Sequence, residues 1–546
     1  MSFILVRQQG FAWHHRGGAH VKGYLFDGAE TFRRDAAAAD YFATVTNAGN
    51  FCDRLCEANG CFAAIVETDQ HILAAVDRVR SLPLFYALNG PDLILGDDVG
   101  EMQKRIGECA IDPVAREEFL RIGYTIGPGT LDSRISQIEA GDMLIFDKAG
   151  GRVKVKTWFS HVHEEFSDKT EEALLDEFDN ITSRWARRLI ESARGRTIIV
   201  PLSGGYDSRS IVCALKREGY KQVICYSYGV PASYEHQIAQ QVAAQLDYPI
   251  HIIDYSGHAW RAMLESPRFV EFCRFMWQQC TVPCAQELLA FYNLARASAI
   301  PSDAIIVPGY GGDWLAGSRL PAGRLLAGQQ EKLLVEGIDQ YILRSYFSLL
   351  ASAIPADKEP AMLGRIHAFT SGFRSDDIRH FCSVLEAWIT RHRVAKFLVN
   401  TVRTFEFFGH EWRLPFFDNE LIDGWFGLPL QHRINKVLYQ RYVFERLFKP
   451  MNVPFQKPKS PVGLDQVVRQ WLPAALIPSV KRLYKVLLKR PVNSIRTKPM
   501  DIDGFDAVTE MLLKQMGPGW CADDFGNVNG VVAMWWLLRN NLTMHV

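Results

Sequence analysis

Residues 200–208 read VPLSGGYDS and hold the residue types in this chain best suited to chemistry. An apolar, β-branched run at residues 197–202 precedes the turn, and an apolar-periodic segment at residues 209–217 follows it. Such a run, then glycines and hydroxyl residues, then a periodic segment, is typical of a strand, a tight loop and a helix N-terminus.

Two glycines and two serines of this loop predict that it binds phosphate. Gly204 and Gly205 let backbone N–H groups approach an anion, and Ser203 and Ser208 add hydroxyl donors at a helix N-terminus. Asp207 repels a phosphate unless a cation lies between them, so the loop predicts Mg²⁺ as well as a nucleotide.

The loop resembles the pyrophosphate loop SGGxDS of the ATP pyrophosphatase superfamily, whose members activate a carboxylate or a similar oxygen as its adenylate. It is not a Walker A loop, which has a longer glycine spacing and a following Lys-Ser/Thr. An ordinary Gly-Ser turn that opens a helix is the alternative interpretation. The strand–turn–helix setting favours the nucleotide loop.

A second glycine-rich turn, within residues 304–317, follows another apolar run and bears Asp313. This pattern predicts that Asp313 faces Asp207 across a metal-bound pyrophosphate. The turn resembles the GEGxDE motif of asparagine synthetases, with Tyr310 at the position of the first Glu and Trp314 at that of the second acid. Its Gly-Tyr-Gly-x-Asp form is similar to β-lactam and carbapenam synthetases, where the resemblance implies that the tyrosine, helped by a downstream Glu, deprotonates the attacking nitrogen.

For Tyr310, catalysis and aromatic lining of the pocket are equal alternatives at this stage. A tyrosine acts as a base only if a neighbouring charge shifts its pKa, and Glu386 and Glu406 are the helix acids that qualify as its partner. We assign Glu386 a catalytic role on this ground. Residues 411–418, EWRLPFFD, resemble the family's ExRxPFLD signature, which packs at the synthetase site.

Residues 454–464 resemble the family's R-x-K loop, in which a glycine follows the lysine by six places. Lys457 fits this spacing, and Lys459 is its rival by proximity. The resemblance implies that the lysine neutralises charge growing on the α-phosphate, where one well-placed donor contributes ~3 kcal/mol. A solvated lysine in a surface turn is the alternative.

The resemblance thus implies ATP and Mg²⁺ as cofactors, with Asp207 and Asp313 as metal ligands. The residues expected to contact ATP are Leu202, Ser203, Gly204, Gly205, Asp207, Ser208, Ser227, Gly309 and Gly311.

The elements that position these loops fall into two parts. The first third is β-rich, with strands predicted at residues 61–67, 72–78 and 93–96, and resembles the N-terminal glutaminase-type domain of asparagine synthetase. Glutamine-using members carry Cys directly after the initiator Met, whereas this chain has Ser2, and no counterpart of their RGPD and NGEIYN segments is present. We expect a retained but inactive glutaminase-type fold that serves as a scaffold.

The fold class expected is mixed α/β and α+β. An Ntn-hydrolase-like αββα sandwich at residues 1–165 precedes a Rossmann-like parallel-sheet ATP pyrophosphatase domain with helical additions at residues 166–546. After the phosphate loop we expect a strand at residues 222–228, a helix at 235–246, a strand at 249–253 and a helical region at 259–299.

Composition excludes several classes of partner. Lys+Arg and Asp+Glu both number 61, so no net field points to nucleic acid. No apolar stretch reaches the length of a membrane span and no signal peptide opens the chain, which favours a cytoplasmic protein. The cysteines lack paired CxxC spacing, so we expect reduced thiols and no zinc site. The basic residues 477–498 are interpreted as a solvated helix face, with contact to an anionic substrate or membrane surface as the alternative.

The resemblance implies an ATP-dependent, AMP-forming amide synthetase. A small-molecule or peptide carboxylate attacks the α-phosphate, pyrophosphate leaves, and an amine or ammonia displaces AMP. An amine acceptor, as in β-lactam synthetases or lasso peptide cyclases, is favoured over ammonia-fed amidation of aspartate or of a sugar acid in surface polysaccharide assembly. A nucleotide-binding scaffold without chemistry and a homodimeric state stay open.

Overall fold

The computed structural model describes residues 2–231, 233–455 and 503–542. The strands are β1 (Ser2–Ile4), β2 (Trp13–Arg16), β3 (Ala19–Phe26), β4 (Phe32–Arg34), β5 (Asn59–Glu67), β6 (His71–Val76), β7 (Phe85–Asn89), β8 (Asp92–Gly96), β9 (Ser136–Gln137), β10 (Asp142–Asp147), β11 (Arg152–Thr157), β12 (Ile198–Pro201), β13 (Val223–Gly229), β14 (Ile250–Asp254), β15 (Ile305–Ile306) and β16 (Glu411–Trp412).

The α-helices are α1 (Ala36–Ala43), α2 (Ala48–Glu57), α3 (Val99–Ile106), α4 (Pro113–Ile122), α5 (Glu171–Ala193), α6 (Tyr206–Arg217), α7 (Tyr234–Leu246), α8 (Gly257–Glu265), α9 (Pro267–Trp277), α10 (Leu288–Arg296), α11 (Gly312–Leu315), α12 (Ala322–Leu326), α13 (Gln330–Glu336), α14 (Ile338–Tyr346), α15 (Glu359–Thr370), α16 (Ile378–Ile389), α17 (Arg403–Phe407), α18 (Asn419–Phe426), α19 (Leu430–Arg433), α20 (Val437–Tyr442), α21 (Phe505–Met516) and α22 (Val528–Arg539). A π-helix at Thr390–Leu398 continues α16, and a second one lies at Val443–Phe448. Within the described ranges, no helix combines the length and the apolar character needed to cross a bilayer.

The N-terminal part is a sandwich of two sheets. A seven-stranded sheet, in the order β11-β10-β6-β5-β3-β2 with β4 paired to β3, lies against a four-stranded sheet in the order β1-β8-β7-β9. Alternate residues of β5 explain the layering, because Phe62 belongs to a core shared with α1 and α2, whereas Ala63 belongs to the core that contains Leu95 of β8. On the outer face of the smaller sheet, Ile94 packs with Met102 of α3. The predicted αββα sandwich is confirmed, while the boundary near residue 165 stays a prediction.

The second part is built on a five-stranded parallel sheet in the order β14-β13-β12-β15-β16. The chain moves outward from β12 to β14 and then returns to the other side of β12, where Ile198 lies opposite both Val223 and Ile305. The loops after β12 and β15 therefore leave the same edge of the sheet side by side, at its topological switch point. This confirms the predicted parallel-sheet fold.

Residues 259–299 form three helices rather than one continuous helical region. Gln278 and Gln279 adopt positive φ angles of 42° and 52°, which end α9, and α10 begins only at Leu288. This break places Glu287 at the N-terminus of α10. All eleven cysteines fall within the described residues, and none of them forms a disulfide there.

The two parts are joined by buried polar contacts. Asn59 of β5 donates to the Asp418 carboxylate over 3.1 Å, and Arg188 of α5 holds the same carboxylate from within the second part through two hydrogen bonds of 2.9 Å. The Arg413 guanidinium lies over the Tyr24 ring at 4.2 Å. The signature at residues 411–418 therefore contacts the N-terminal sandwich.

Candidate active site

The predicted phosphate loop connects β12 to α6, and its backbone donors already hold oxygen acceptors. Ser203 N–H donates to the Ser208 hydroxyl over 3.0 Å, and Gly205 N–H donates to the Ser203 hydroxyl over 3.0 Å. Gly204 N–H donates to the carboxylate of Glu235, from the first turn of α7. Because a side-chain carboxylate binds there, the loop is able to accept an anionic oxygen such as that of a phosphate.

The second glycine-rich turn lies directly against this loop. Asp313 N–H donates to Asp207 Oδ2 over 2.8 Å. A Cβ added at Gly309 meets Ser208 N at 2.7 Å, so the close approach of the two turns requires glycine there. The two turns thus lie in contact, while the roles of Asp207 and Asp313 at a metal-bound pyrophosphate stay predictions.

The two aspartates form an acidic pair suited to a divalent cation. Burial and the neighbouring Asp313 carboxylate raise the pKa of Asp207 to about 6. The Tyr439 hydroxyl donates to Asp207 Oδ1 over 2.7 Å, which fixes the carboxylate, and the positive charge of Lys436 acts to lower the pKa of Asp207. Oxygen ligands next to a phosphate loop fit Mg²⁺, and a bound ion would relieve the repulsion that raises the pKa of Asp207.

Tyr310 has a carboxylate partner that the sequence did not indicate. Its hydroxyl donates to Glu287 Oε1 over 3.2 Å, and the same carboxylate accepts hydrogen bonds from Tyr226 over 2.6 Å and from Tyr228 over 3.1 Å. Glu287 is buried, and this burial raises its pKa to about 7, against the lowering effect of the three hydroxyl donors. A carboxyl group with this pKa exchanges protons near neutral pH.

Burial also raises the pKa of Tyr310 well above its usual value, and the Glu287 carboxylate adds to this effect. Tyr310 therefore stays protonated, and Glu287 is the group of the pair that is able to take up a proton.

The prediction that Glu386 or Glu406 partners Tyr310 is corrected by these contacts. Arg433 donates to both oxygens of Glu386 over 2.7 Å, and both side chains are buried. Glu406 instead accepts from the Trp412 indole over 3.0 Å. A buried carboxylate bound to a guanidinium in two places has its charge satisfied, so Glu386 supports the packing beneath α11.

Trp314, at the position of the family's second acid, is a packing residue. Its indole N–H donates to the Thr390 hydroxyl over 3.0 Å, and its ring stacks on Phe417 with centroids 5.2 Å apart. Phe417 also contacts the second glycine-rich turn at Gly311, where φ is +102° and an added Cβ would lie 2.8 Å from the Phe417 ring. The signature at residues 411–418 thus packs against the second glycine-rich turn.

Several predicted residues stay predictions. Ser227 lies buried at the carboxyl end of β13, between the two tyrosines that reach Glu287. Lys457, Lys459 and residues 477–498 lie outside the described residues. The last described residue before them, Phe455, stacks on Tyr206 of the phosphate loop, with ring centroids 5.1 Å apart.

Only one local signal marks the Glu287 cluster in the sequence. Tyr226 and Tyr228 are two residues apart on a strand, so their side chains share a face of the sheet. Glu287 itself is an acid before a helix, a common arrangement that a helix dipole favours without any catalytic role.

Comparison with protein families found that the model described as asparagine synthase matches residues 193–487. No curated protein sequence gives a significant match. Three solved structures are similar to parts of this chain. One, titled the allosteric regulatory enzyme of purine biosynthesis, is 10% identical, with 44% of this chain and 62% of that chain covered and a TM-score of 0.19. Glutamine phosphoribosylpyrophosphate amidotransferase from B. subtilis, complexed with ADP and GMP, is 10% identical, with 54% and 63% covered and a TM-score of 0.18.

The third similar structure is the NH₃-dependent NAD synthetase from Campylobacter jejuni in complex with the nitrate ion. It is 12% identical, with 37% of this chain and 94% of that chain covered and a TM-score of 0.19. The chain spans less than two thirds of the length of the purine-biosynthesis enzyme and of the amidotransferase.

Proposed function

The chain belongs to the asparagine synthase family, and from this premise we propose that it is an ATP-dependent carbon–nitrogen ligase that forms an amide, AMP and pyrophosphate. The observation that carries the proposal is the contact between the two turns, where Asp313 N–H donates to Asp207 over 2.8 Å. That contact brings a phosphate-type loop, an acidic pair and the Tyr310–Glu287 pair to one edge of the parallel sheet.

In this proposal the phosphates of ATP lie on the loop, where they replace the Glu235 carboxylate at Gly204 N–H. The residues that contact ATP are Leu202, Ser203, Gly204, Gly205, Asp207, Ser208, Ser227, Gly309 and Gly311. Asp207 and Asp313 would hold Mg²⁺, which supplies charge neutralisation on the phosphates when bound. Tyr439 keeps the Asp207 carboxylate oriented through its 2.7 Å hydrogen bond.

The carboxylate substrate attacks the α-phosphate and pyrophosphate leaves, giving the acyl adenylate. We assign Lys457 to the charge that grows on the α-phosphate in this step. Lys457 lies outside the described residues, and Arg209 of α6 donates to the carbonyl of Pro454, three residues before it.

The amine must lose a proton to form the amide, and the Glu287–Tyr310 pair provides the route. The amine proton passes to the Tyr310 oxygen while the Tyr310 hydroxyl proton passes to Glu287 Oε1, 3.2 Å away. Glu287 ends protonated and Tyr310 is restored. This direction follows from the pKa of about 7 at Glu287 and the much higher pKa of Tyr310.

Pyrophosphate release from ATP, measured with a panel of carboxylic acids and amines, tests the proposal. We expect release that depends on the acid and is abolished in Asp207→Ala and Lys457→Ala. Asp53→Ala, at an exposed position of α2, is the matched control and keeps full activity. Formation of ADP and phosphate, or equal release by Asp207→Ala, contradicts the proposal, and ATP binding without pyrophosphate release favours a scaffold.

We further propose that the N-terminal sandwich does not hydrolyse glutamine, because Ser2 stands where glutamine-using relatives have Cys. Ser2 lies in β1, opposite Ile94 of β8. Glutamate release from glutamine is the direct measurement. A signal that disappears in Ser2→Ala overturns this assignment.

A further inference from the structure

The hairpin of β2 and β3 carries two histidines directly opposite each other. His15 of β2 lies across from His20 of β3 in the antiparallel ladder, one residue pair away from the turn at Gly17 and Gly18. Their imidazole rings have centroids 4.5 Å apart, and the ring planes are inclined by 34°. The strand register therefore brings the two rings together on one face of the sheet. We call these residues the His15–His20 pair.

The spacing of the two rings is that of two ligands of one metal ion. Imidazole nitrogens lie about 2.0–2.1 Å from the metal in zinc sites, which puts the centroids of two rings on neighbouring coordination positions roughly 4.5–5 Å apart. In the described part of the chain, the rings of His15 and His20 contact each other and Phe3, and neither ring forms a hydrogen bond or an ion pair. Their nitrogens are therefore available to an ion.

The surroundings of His20 favour the neutral imidazole, which is the form that binds metals. Its ring packs edge-on against Phe3 of β1, with centroids 5.3 Å apart. Partial burial lowers the pKa of His20 below its ordinary value, and the neighbouring His15 acts in the same direction. The Glu67 carboxylate, which Lys148 binds over 2.8 Å, acts on this pKa in the opposite direction.

The adjacent histidine of the same strand has a different environment. Side chains alternate along a strand, so His14 projects to the other face of the sheet. There its Nε2 lies 3.2 Å from Asp35, the residue before α1, and Arg16 of the same face lies 3.8 Å from Asp40 of that helix. His14 thus already has an acidic partner, which makes it a matched control for the His15–His20 pair.

We propose that the His15–His20 pair binds a divalent transition-metal ion that prefers imidazole nitrogen, such as Ni²⁺ or Cu²⁺, with water as its remaining ligands. Mg²⁺ is not a candidate, because it takes oxygen ligands. A bound ion links β3 to β2, the strand at one end of the seven-stranded sheet. None of the residues assigned to ATP, Mg²⁺ or proton transfer belongs to this site, and the proposal does not depend on the ligase reaction.

Isothermal titration calorimetry of the full chain with Ni²⁺, without ATP and in excess Mg²⁺, tests the proposal. We expect saturable binding of one Ni²⁺ ion. His15→Ala, at an exposed position, and His20→Gln each remove one of the two ligands and should weaken binding at least about tenfold. His14→Ala changes the neighbouring residue on the opposite face and should leave the affinity unchanged.

A second group of potential ligands serves as a further control. Within the described residues, Asp376, Asp377 and His380 lie close enough together to hold an ion. We expect Asp376→Ala, at an exposed position, to bind Ni²⁺ as the wild type does. Loss of binding in Asp376→Ala or in His14→Ala overturns the proposal, as does unchanged affinity in His15→Ala and His20→Gln or the absence of saturable binding. Because the assay contains no reaction, its outcome is separate from that of the pyrophosphate assay.

Discussion

Gly312→Ala is the sharpest perturbation of the proposed ATP site, because it adds a single methyl group at the contact between the two turns. A Cβ at this position lies 2.5 Å from Asp207 Cγ and 2.8 Å from each carboxylate oxygen. Ordinary van der Waals contact begins near 3.4 Å, so the carboxylate must move by about 1 Å. That movement disturbs the hydrogen bonds that Asp207 accepts from the Tyr439 hydroxyl and from Asp313 N–H.

The expected loss of affinity follows from those two hydrogen bonds. Asp207 accepts from Tyr439 over 2.7 Å and from Asp313 N–H over 2.8 Å, and a hydrogen bond to a charged group is worth about 1.5–3 kcal/mol. Losing one of these hydrogen bonds, together with the misplaced metal ligand, costs about 3 kcal/mol of binding free energy. We therefore expect MgATP to bind roughly a hundredfold more weakly.

Isothermal titration calorimetry with MgATP measures this loss directly. The matched control is Gly323→Ala in α12, where an added Cβ meets nothing within 4 Å. We expect the control to bind MgATP as the wild type does and to gain up to about 1 kcal/mol of stability from helix propensity. Wild-type affinity in Gly312→Ala refutes the assignment of Asp207 to the metal-bound nucleotide.

Four further predictions concern the groups around the site. The amide-forming rate of the wild type should rise with pH through about 7, as Glu287 loses its proton, and Glu287→Gln should remove this rise and lower the rate about 10²–10⁴-fold. Since the folded-state pKa of Glu287 is raised from 4.5 to about 7, its stabilising contribution is complete below pH 4.5 and is lost as pH rises through 7. Glu287→Gln does not titrate, so its unfolding free energy relative to wild type, measured with denaturant, should be about 3 kcal/mol more favourable at pH 8 than at pH 4. Tyr439→Phe should raise the Mg²⁺ concentration for half-maximal MgATP binding about tenfold, whereas an unchanged value argues against an orienting role. Arg433→Leu should lower the unfolding free energy by about 3–5 kcal/mol, and adding Glu386→Leu should restore much of this loss. A double variant that is as destabilised as Arg433→Leu alone contradicts the view that Arg433 and Glu386 neutralise each other.

The parts of the site that the sequence predicts are those fixed by local backbone requirements. Gly309 and Gly312 stand where a side chain would collide with the phosphate loop, so their spacing in the sequence reports a contact in the structure. Apolar runs predict strands in the same way, and the strand predicted at residues 61–67 corresponds to β5, Asn59–Glu67. Local sequence was sufficient because each of these features depends on neighbours along the chain or on a tight turn.

Glu287 could not be found in this way, because its partners come from distant places. Tyr226 and Tyr228 precede it by about sixty residues and Tyr310 follows it by 23, so only the order of the strands brings the hydroxyl groups together. Glu386 shows the converse error, since an acid in an apolar helix has the same local pattern whether it faces a substrate or a buried arginine. Its partner Arg433 lies 47 residues further along the chain.

The signature at residues 411–418 connects the N-terminal sandwich to the site. Phe417 packs against Gly311 of the second turn, and the adjacent Asp418 binds Arg188 and the Asn59 amide of β5. Movement of the sandwich away from Asp418 would leave a buried carboxylate with fewer donors, which is costly, so the position of Phe417 is tied to that of the sandwich. The sandwich therefore has a structural role that does not depend on glutamine hydrolysis, since it helps to hold Phe417, against which the second turn packs.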